Sequence, residues 1–315
     1  MGSFFLRALN LNQYSTATAQ PGLSVNVINA ILLPIPPLAE QKRIVAQIEN
    51  LLKCVDEIDR ESETLEKSIT LAKQKILDLA IRGKLVPQDP ADEPASELLK
   101  KIKAEKEALI KAGKLKRDKH ESFIFRGDDN CYYEQLDGKT VDITAEIPFE
   151  IPQSWCWCRQ ETIISLVSGQ DFPPAGYNAD HIGIPYITGA SNMVDGKIII
   201  NRWTKIPSSI AIAGDILITC KGAGVGKMAY MDIPRAHIAR QIMAVRPIGV
   251  LSSKFIETVL QGQFSLIREQ MNGLIPGISR DVMLNLLFPL PPLSEQQRIV
   301  EAIGQYNSIF KTISK

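Results

Sequence analysis

The sequence predicts an α+β protein, in which a mixed α/β globular domain is joined to long helices that form an antiparallel coiled coil. Three observations carry this. Apolar residues keep heptad spacing from Ile44 to Leu79. From about Cys131 the period shortens to strand-like runs set between Gly, Pro, Asn and Asp turns. A proline-rich phrase occurs twice, as "LLPIPPLAEQKRIV" at 32–45 and "LFPLPPLSEQQRIV" at 287–300, so that Val45 and Val300 mark a constant offset of 255 residues.

Taken in order, Pro34, Pro36 and Pro37 remove backbone donors and bar helix. After them Ile44, Ile48, Leu51, Val55, Ile58, Leu65, Ile69, Ala72, Ile76 and Leu79 advance in steps of four and three. Ser62 is the one polar residue on that seam. A narrow stripe sustained over five heptads, with Glu and Lys between, favours a coiled coil over an amphipathic helix lying on a core. Spanning 38–84, it is roughly 65 Å long at 1.5 Å per residue. Gly83 and Pro87 stop it. Residues 85–130 read as a Pro- and Asp-rich linker, "VPQDPADEPAS", then a charged helix ending near Gly113, whose Lys/Arg cluster is a solvated face or a phosphate contact.

Residues 131–290 form the globular domain, with strands in "CYYEQL", "GKIIINRW" and "GDILITC" and a helix over 252–271. The phrase then returns and opens a second, shorter helix at 291–315. Its Ile299, Ile303, Tyr306, Phe310 and Ile313 fall on Ile44, Ile48, Leu51, Val55 and Ile58 at the same offset. Two helices of one register can pair with each other or with a second copy of the chain. Upstream of the phrase, Pro21, Gly22 and Ser24 fall on Pro276, Gly277 and Ser279.

At 315 residues the length suggests about two domains. The hydrophobic fraction of 45% supports an ordinary core, and a net charge of +1 gives no global sign of a nucleic-acid partner. Five cysteines, with no secretory signal pattern at 1–10, fit a reducing cytoplasm. No stretch is apolar enough for a membrane span.

Most candidate chemistry fails. "CKGAGVGKM" has Lys221 where a phosphate loop needs its first Gly, and Met228 where it needs Ser or Thr. A glycine-rich hairpin or loop that brings backbone close to a surface or ligand is the better reading. Cys156 and Cys158 form a lone C-x-C, and His120, His181 and His237 have no paired ligand spacing. Nothing supports catalysis, a metal or a cofactor.

The doubled phrase resembles the "PLPPLxEQxxIV" signature of type I restriction–modification specificity subunits. Pro34 to Val45 and Pro289 to Val300 both carry it. "GDILITCKGAGVGK" at 214–227 is similar to that family's strand–loop inside a target recognition domain, and "IPQSWCW" at 151–157 to its "IPxxW" domain entrance. The resemblance covers nearly the whole chain. It implies a non-catalytic subunit whose two recognition domains each read one half of a split site in double-stranded DNA. The helices dock methyltransferase subunits that use S-adenosylmethionine, and a restriction subunit joins indirectly. Here residues 1–37 match only the tail of a first recognition domain, so the chain reads as a truncated or half-size member. A homodimer would restore two domains on a (pseudo)palindromic site. The alternative is a coiled-coil scaffold that binds protein, or an inactive fragment.

Base readout needs bidentate side chains, and phosphates need Lys or Arg. Polar residues beside turns that meet this are Gln170, Tyr177, Asn178, Ser191, Asn192, Lys221, Lys227, Arg240, Gln241 and Arg280. Lys221 and Lys227 lead, because the glycines around them let the loop come close.

Overall fold

Glycine and proline punctuation sets the helix ends. The computed structural model describes residue 4 and residues 25–32, 34–117, 121–222, 224–270 and 277–313. Pro21, Gly22, Ser24, His120, Pro276 and most of the expected 1–37 tail lie outside the described residues. The chain forms two compact units, 1–69 and 70–315. After a short helix α1 (Val25–Asn29), helix α2 runs Leu38–Ile81 and helix α3 Ala95–Lys111. α2 ends in a Schellman motif: Lys84 N–H donates to Leu79 O at 2.8 Å and Gly83 N–H to Ala80 O at 3.3 Å. Gly83 has φ +65°, and a Cβ there would meet Pro152 at 2.5 Å, so neither the turn nor the packing admits a side chain.

The strands begin at Ser122, inside the segment read as linker and charged helix. β1 (Ser122–Arg126), β2 (Tyr132–Leu136) and β3 (Lys139–Asp142) form an antiparallel sheet in that order. β4 (Cys156–Arg159), the short helix α4 (Gln160–Ile163), β5 (Ile164–Ser168) and β6 (Ile184–Ile187) follow. Next come the hairpin β7 (Met193–Val194) and β8 (Lys197–Ile198), then β9 (Trp203–Thr204) and β10 (Ile210–Ile212). β11 (Ile216–Thr219), β12 (Met228–Tyr230), β13 (Arg235–Ile238) and β14 (Ile242–Pro247) complete two four-stranded sheets, ordered β10-β13-β6-β9 and β12-β11-β14-β5. Helices α5 (Ser253–Gln270) and α6 (Arg280–Asn285), strand β15 (Leu287–Leu290) and helix α7 (Leu293–Ile313) close the chain.

β11 shows why these layers stack. All four of its residues are buried. Ile216 and Ile218 enter a core with α3, α5 and Ile299 of α7, while Leu217 enters a second core with Ile187, Ala236 and Ile238 of the other sheet. A strand buried on both faces reads as a continuous apolar run, which is what "ILIT" is. Asp215 just before it is 1% exposed and accepts from Arg246 Nη2 at 2.8 Å and Ile212 N–H at 2.9 Å.

Within the second unit the end of α2 and α7 run antiparallel. Lys73 Nζ lies 5.9 Å from the Phe310 ring centroid, whereas Ala80 and Ile81 share a core with Ile299. Ile76, Leu79, Ile303 and Phe310 are half-buried. In the first unit Ile44 and Ile48 are half-buried, but Leu51, Val55, Ile58 and Leu65 are exposed, as is Tyr306 near the end of α7. The heptad seam is therefore open over the middle of α2. Among the described residues no helix is long and apolar enough to cross a membrane, and no cluster of His, Cys, Asp or Glu is placed to hold a metal ion.

Candidate nucleic-acid interface

Strand direction gathers a group of loops at one end of the two four-stranded sheets. Thr219 of β11 pairs with Ile242 of β14, and Met243 pairs with Ser168 of β5. The segments 169–171, 220–222 and 239–241 thus leave the same edge, and 224–227 return to it. β13 runs parallel to β6, with Ile238 beside Ile187, so the turn 189–192 emerges there too.

The glycine-rich segment is the loop of an antiparallel hairpin between β11 and β12, as the failed phosphate-loop pattern led us to expect. Thr219 N–H donates to Lys227 O and Gly226 N–H to Thr219 O, each at 2.9 Å, which closes it. A Cβ on Gly224 would stand 2.2 Å from Ala190 Cβ, so only glycine lets this loop lie on the 189–192 turn. Lys227 Nζ donates to Ala190 O at 3.3 Å, and both Lys221 and Lys227 are exposed. Gln241 accepts from Cys220 N–H at 2.7 Å through its backbone, while its exposed carboxamide lies beside Gly189 and Gly222. Arg240 Nε sits 3.5 Å from Asp171 Oδ2 with the Arg side chain mostly exposed. Ile278 N–H donates to Cys220 O, which brings in the segment before Arg280, and Arg280 Nη1 donates to Leu166 O. One edge therefore collects Lys221, Lys227, Arg240, Gln241, Ser191 and Gln170, with Arg280 flanking it.

The geometry commits two of the predicted residues to local turns. Asn192 is fully buried: its Oδ1 accepts from Thr188 N–H, Thr188 Oγ1 and Gly189 N–H, and its Nδ2 donates to Ile199 O and Asn201 Oδ1. Asn178 accepts from Asp180 and Ile182 N–H and donates to Ile182 O and Trp203 O. Both carboxamides shape turns and have no group left for a base edge. Tyr177 is half-buried, its ring 5.6 Å from that of Tyr186 in β6.

Arg202 was missed. Its guanidinium lies 5.4 Å over the Tyr177 ring and it is exposed, a pairing hinted at only by Arg beside Trp in "NRW". His237 was also more than an unpaired histidine. It bridges two loops, since Nδ1 accepts from Ser208 and Ser209 N–H while Nε2 lies 2.8 Å from Gln170 O. That pattern needs the neutral imidazole, and burial pushes its pKa below the ordinary 6.5. Gln170 Oε1 in turn accepts from Ser208 Oγ.

The resemblance motifs prove to be a clasp. Glu295 of the second phrase is buried, accepting from Trp155 Nε1 at 2.8 Å and Gln88 Nε2 at 2.6 Å. Burial pushes its carboxyl above the ordinary 4.5, against the pull of those donors. Arg298 Nη2 donates to Asp92 at 2.6 Å, and Gln296 accepts from Ser252 N–H. Tryptophan from "IPQSW" is thereby tied to glutamate from "PPLSEQ". Burial raises the thiol of Cys156 to about 12 and that of Cys220 to about 11, which leaves both protonated at neutral pH.

Comparison with known proteins then places the chain. The model of the type I restriction modification DNA specificity domain matches residues 3–67 and 164–315. The EcoAI specificity subunit of Escherichia coli is 29% identical over 334 aligned positions, covering 87% of this chain and 52% of that protein. The EcoEI specificity subunit, also of Escherichia coli, is 28% identical over 87% of this chain and 53% of its own length. The chain thus spans about half the length of these curated relatives. Among solved structures, a chain from a type I R-M system matches with a TM-score of 0.66 at 23% identity, covering 99% of this chain and 62% of that one. The HsdS subunit from Thermoanaerobacter tengcongensis matches with a TM-score of 0.52 at 23% identity, over 98% and 61% respectively; both show the fold. With the domain model covering more than half of its residues, the chain belongs to the type I restriction modification DNA specificity family.

Proposed function

We propose that the chain is a non-catalytic, sequence-specific DNA-recognition subunit of a type I restriction–modification complex. Its one recognition module, 131–290 together with the strands from Ser122, reads a half-site in duplex DNA. The helices dock methyltransferase subunits and set half-site spacing, and a homodimer presents two modules. The observation that carries this reading is the edge where Lys221, Lys227, Arg240 and Gln241 meet on exposed loops, in a chain of the specificity family. Cations there neutralise phosphates, and Gln241 has the carboxamide that suits adenine. The open seam at Leu51, Val55, Ile58 and Leu65 supports pairing with another helix.

Replacing Lys221 and Lys227 by Ala should weaken duplex binding and lower the slope of log affinity against log salt by roughly 2, measured with the methyltransferase partner present. An unchanged slope removes the loop from the interface. A mass measurement that gives only monomer at micromolar concentration would remove the homodimer. Binding of protein partners with no salt-sensitive DNA binding would favour the scaffold reading.

A further inference from the structure

The sheet β1-β2-β3 has an outer face of unusual composition. Its register places Phe125, Tyr133 and Asp142 in one cross-strand row and Phe123, Gln135 and Thr140 in the next, on the same side. The opposite side is the ordinary inner one, where Ile124 and Tyr132 pack with Ile143 and Trp157. On the outer side Phe123 is 48% and Phe125 38% exposed. The rings still form a ladder, with Phe123 stacked on Phe125 at 6.0 Å and Phe125 on Tyr133 at 5.8 Å. A half-buried antiparallel sheet alternates apolar-in and polar-out, and this one puts aromatics on both sides. Exposed, pre-stacked rings are what a binding surface holds in reserve.

The segment that carries them is acidic, and the structure sets a cation against one end of the ladder, Lys103 of α3, whose Nζ lies 5.2 Å over the Phe123 ring. Residues 121–150 carry eight carboxylates and two cations, a net charge of −6 in a chain whose total is +1. Arg159 meets two of these, Glu134 and Glu146, and Arg126 a third, Glu150. On the ladder itself, Tyr133 Oη donates to Asp129 Oδ2 at 2.7 Å, and Asp142 stands opposite Tyr133. Both carboxyls are held below the ordinary 3.8, Asp129 by the Tyr133 hydroxyl and Asp142 by Thr144, so both are anionic at neutral pH. Such a surface repels phosphate. Ring faces beside carboxylates attract a cation, and a planar guanidinium most of all.

We infer that this face docks an arginine-bearing basic segment of a partner protein, its guanidinium groups lying on the Phe123–Phe125–Tyr133 ladder and pairing with Asp129 and Asp142. The sheet lies within the stretch that the specificity-domain model does not match, so family membership does not supply this site. It is also chemically opposite to the basic loop edge. The net charge of +1 conceals that separation.

The test uses the full chain and a short alternating Arg–Gly peptide, its Lys–Gly counterpart, a single-stranded oligonucleotide and duplex DNA, titrated by fluorescence anisotropy. The arginine peptide should bind more tightly than the lysine one. Phe123→Ala/Phe125→Ala should weaken it about tenfold, as expected for the loss of two ring contacts. Asp129→Asn/Asp142→Asn should weaken it and reduce its salt dependence while keeping every ring. Lys221→Ala/Lys227→Ala should leave peptide binding unchanged and lower duplex affinity only. Thermal melts report folding, and if the alanine pair unfolds, the asparagine pair decides alone. Unchanged peptide affinity in the asparagine pair overturns the inference. So does displacement of the peptide by duplex, or binding of the single-stranded oligonucleotide that is lost with the rings.

Discussion

The two copies of the proline phrase are identical at ten of fourteen positions, yet they live in different surroundings. Their local structure agrees. Gln41 Nε2 donates to Pro36 O at 2.8 Å, and its counterpart Gln296 Nε2 donates to Pro291 O at 3.2 Å. Gln41 N–H reaches Pro37 O, and Gln296 N–H reaches Pro292 O, at 3.0 and 3.1 Å. Each proline turn thus starts its helix from bonds made within six residues. Beyond that range the copies part. Leu287–Leu290 is strand β15, paired antiparallel with Cys156–Arg159, whereas 31–37 form no strand among the described residues. Leu290 is fully buried, and its counterpart Ile35 is 76% exposed. Glu295 is buried against Trp155 and Gln88, while Glu40 and Arg43 are exposed. The phrase encodes its own turn, and the mates of its strand, glutamate and arginine come from elsewhere in the fold.

This contrast can be broken by paired substitutions. The largest effect should come from Leu290→Ala, which empties packed volume and should cost about 2–5 kcal/mol, against about 0.5 or less for Ile35→Ala. Urea unfolding measures both, and equal costs would mean that the first copy is packed after all. Next, Glu295→Ala strands the buried Trp155 indole N–H and the Gln88 amide and should cost about 2–3 kcal/mol, with Glu40→Ala near zero. The same denaturation series compares the two.

A pH profile sharpens the contrast through its sign. Burial raises Glu295, so its contribution is fully present below the ordinary 4.5 and is lost as pH rises through its folded value. Asp92 is lowered, first by the hydrogen bond from Arg298, so its contribution is present above the ordinary 3.8 and is lost as pH falls through its folded value. Glu295→Gln should therefore flatten the stability profile just above pH 4.5 and leave the Asp92 limb intact. Loss of both limbs would show the two groups to act as one network. The smallest effect belongs to Arg298→Ala, about 1 kcal/mol or less because that guanidinium is partly in water, compared with no measurable change for Arg43→Ala. A melting-temperature comparison in low and high salt would separate them.

Much of the helical framework is legible because its rules are local. Heptad steps and the Gly83 stop place α2 within a few residues, and the end of α3 follows from Gly113 in the same way. The hairpin β11–β12 could be read from "GDILIT", an apolar run closed by glycines. β1 is not legible in this way and falls inside the segment read as linker and charged helix. "SFIFR" alternates correctly, but it abuts a run of basic residues that reads as helix, and which period wins there depends on pairing with β2. Among the site residues, Asn192 and Lys227 look alike on paper, each a polar residue beside a turn. Packing buries the first in its own turn and leaves the second exposed.

The sequence by itself determined the long helices, their shared register, the proline turns and the family signature, because spacing along the chain and neighbour bonds are enough to specify them. Tertiary structure alone decided that five distant loops meet at one basic edge and that Trp155 closes on Glu295. It also decided that the aromatic ladder faces outward among carboxylates. Those arrangements depend on strand order and burial between residues up to 140 positions apart, and nothing in local periodicity encodes such distances.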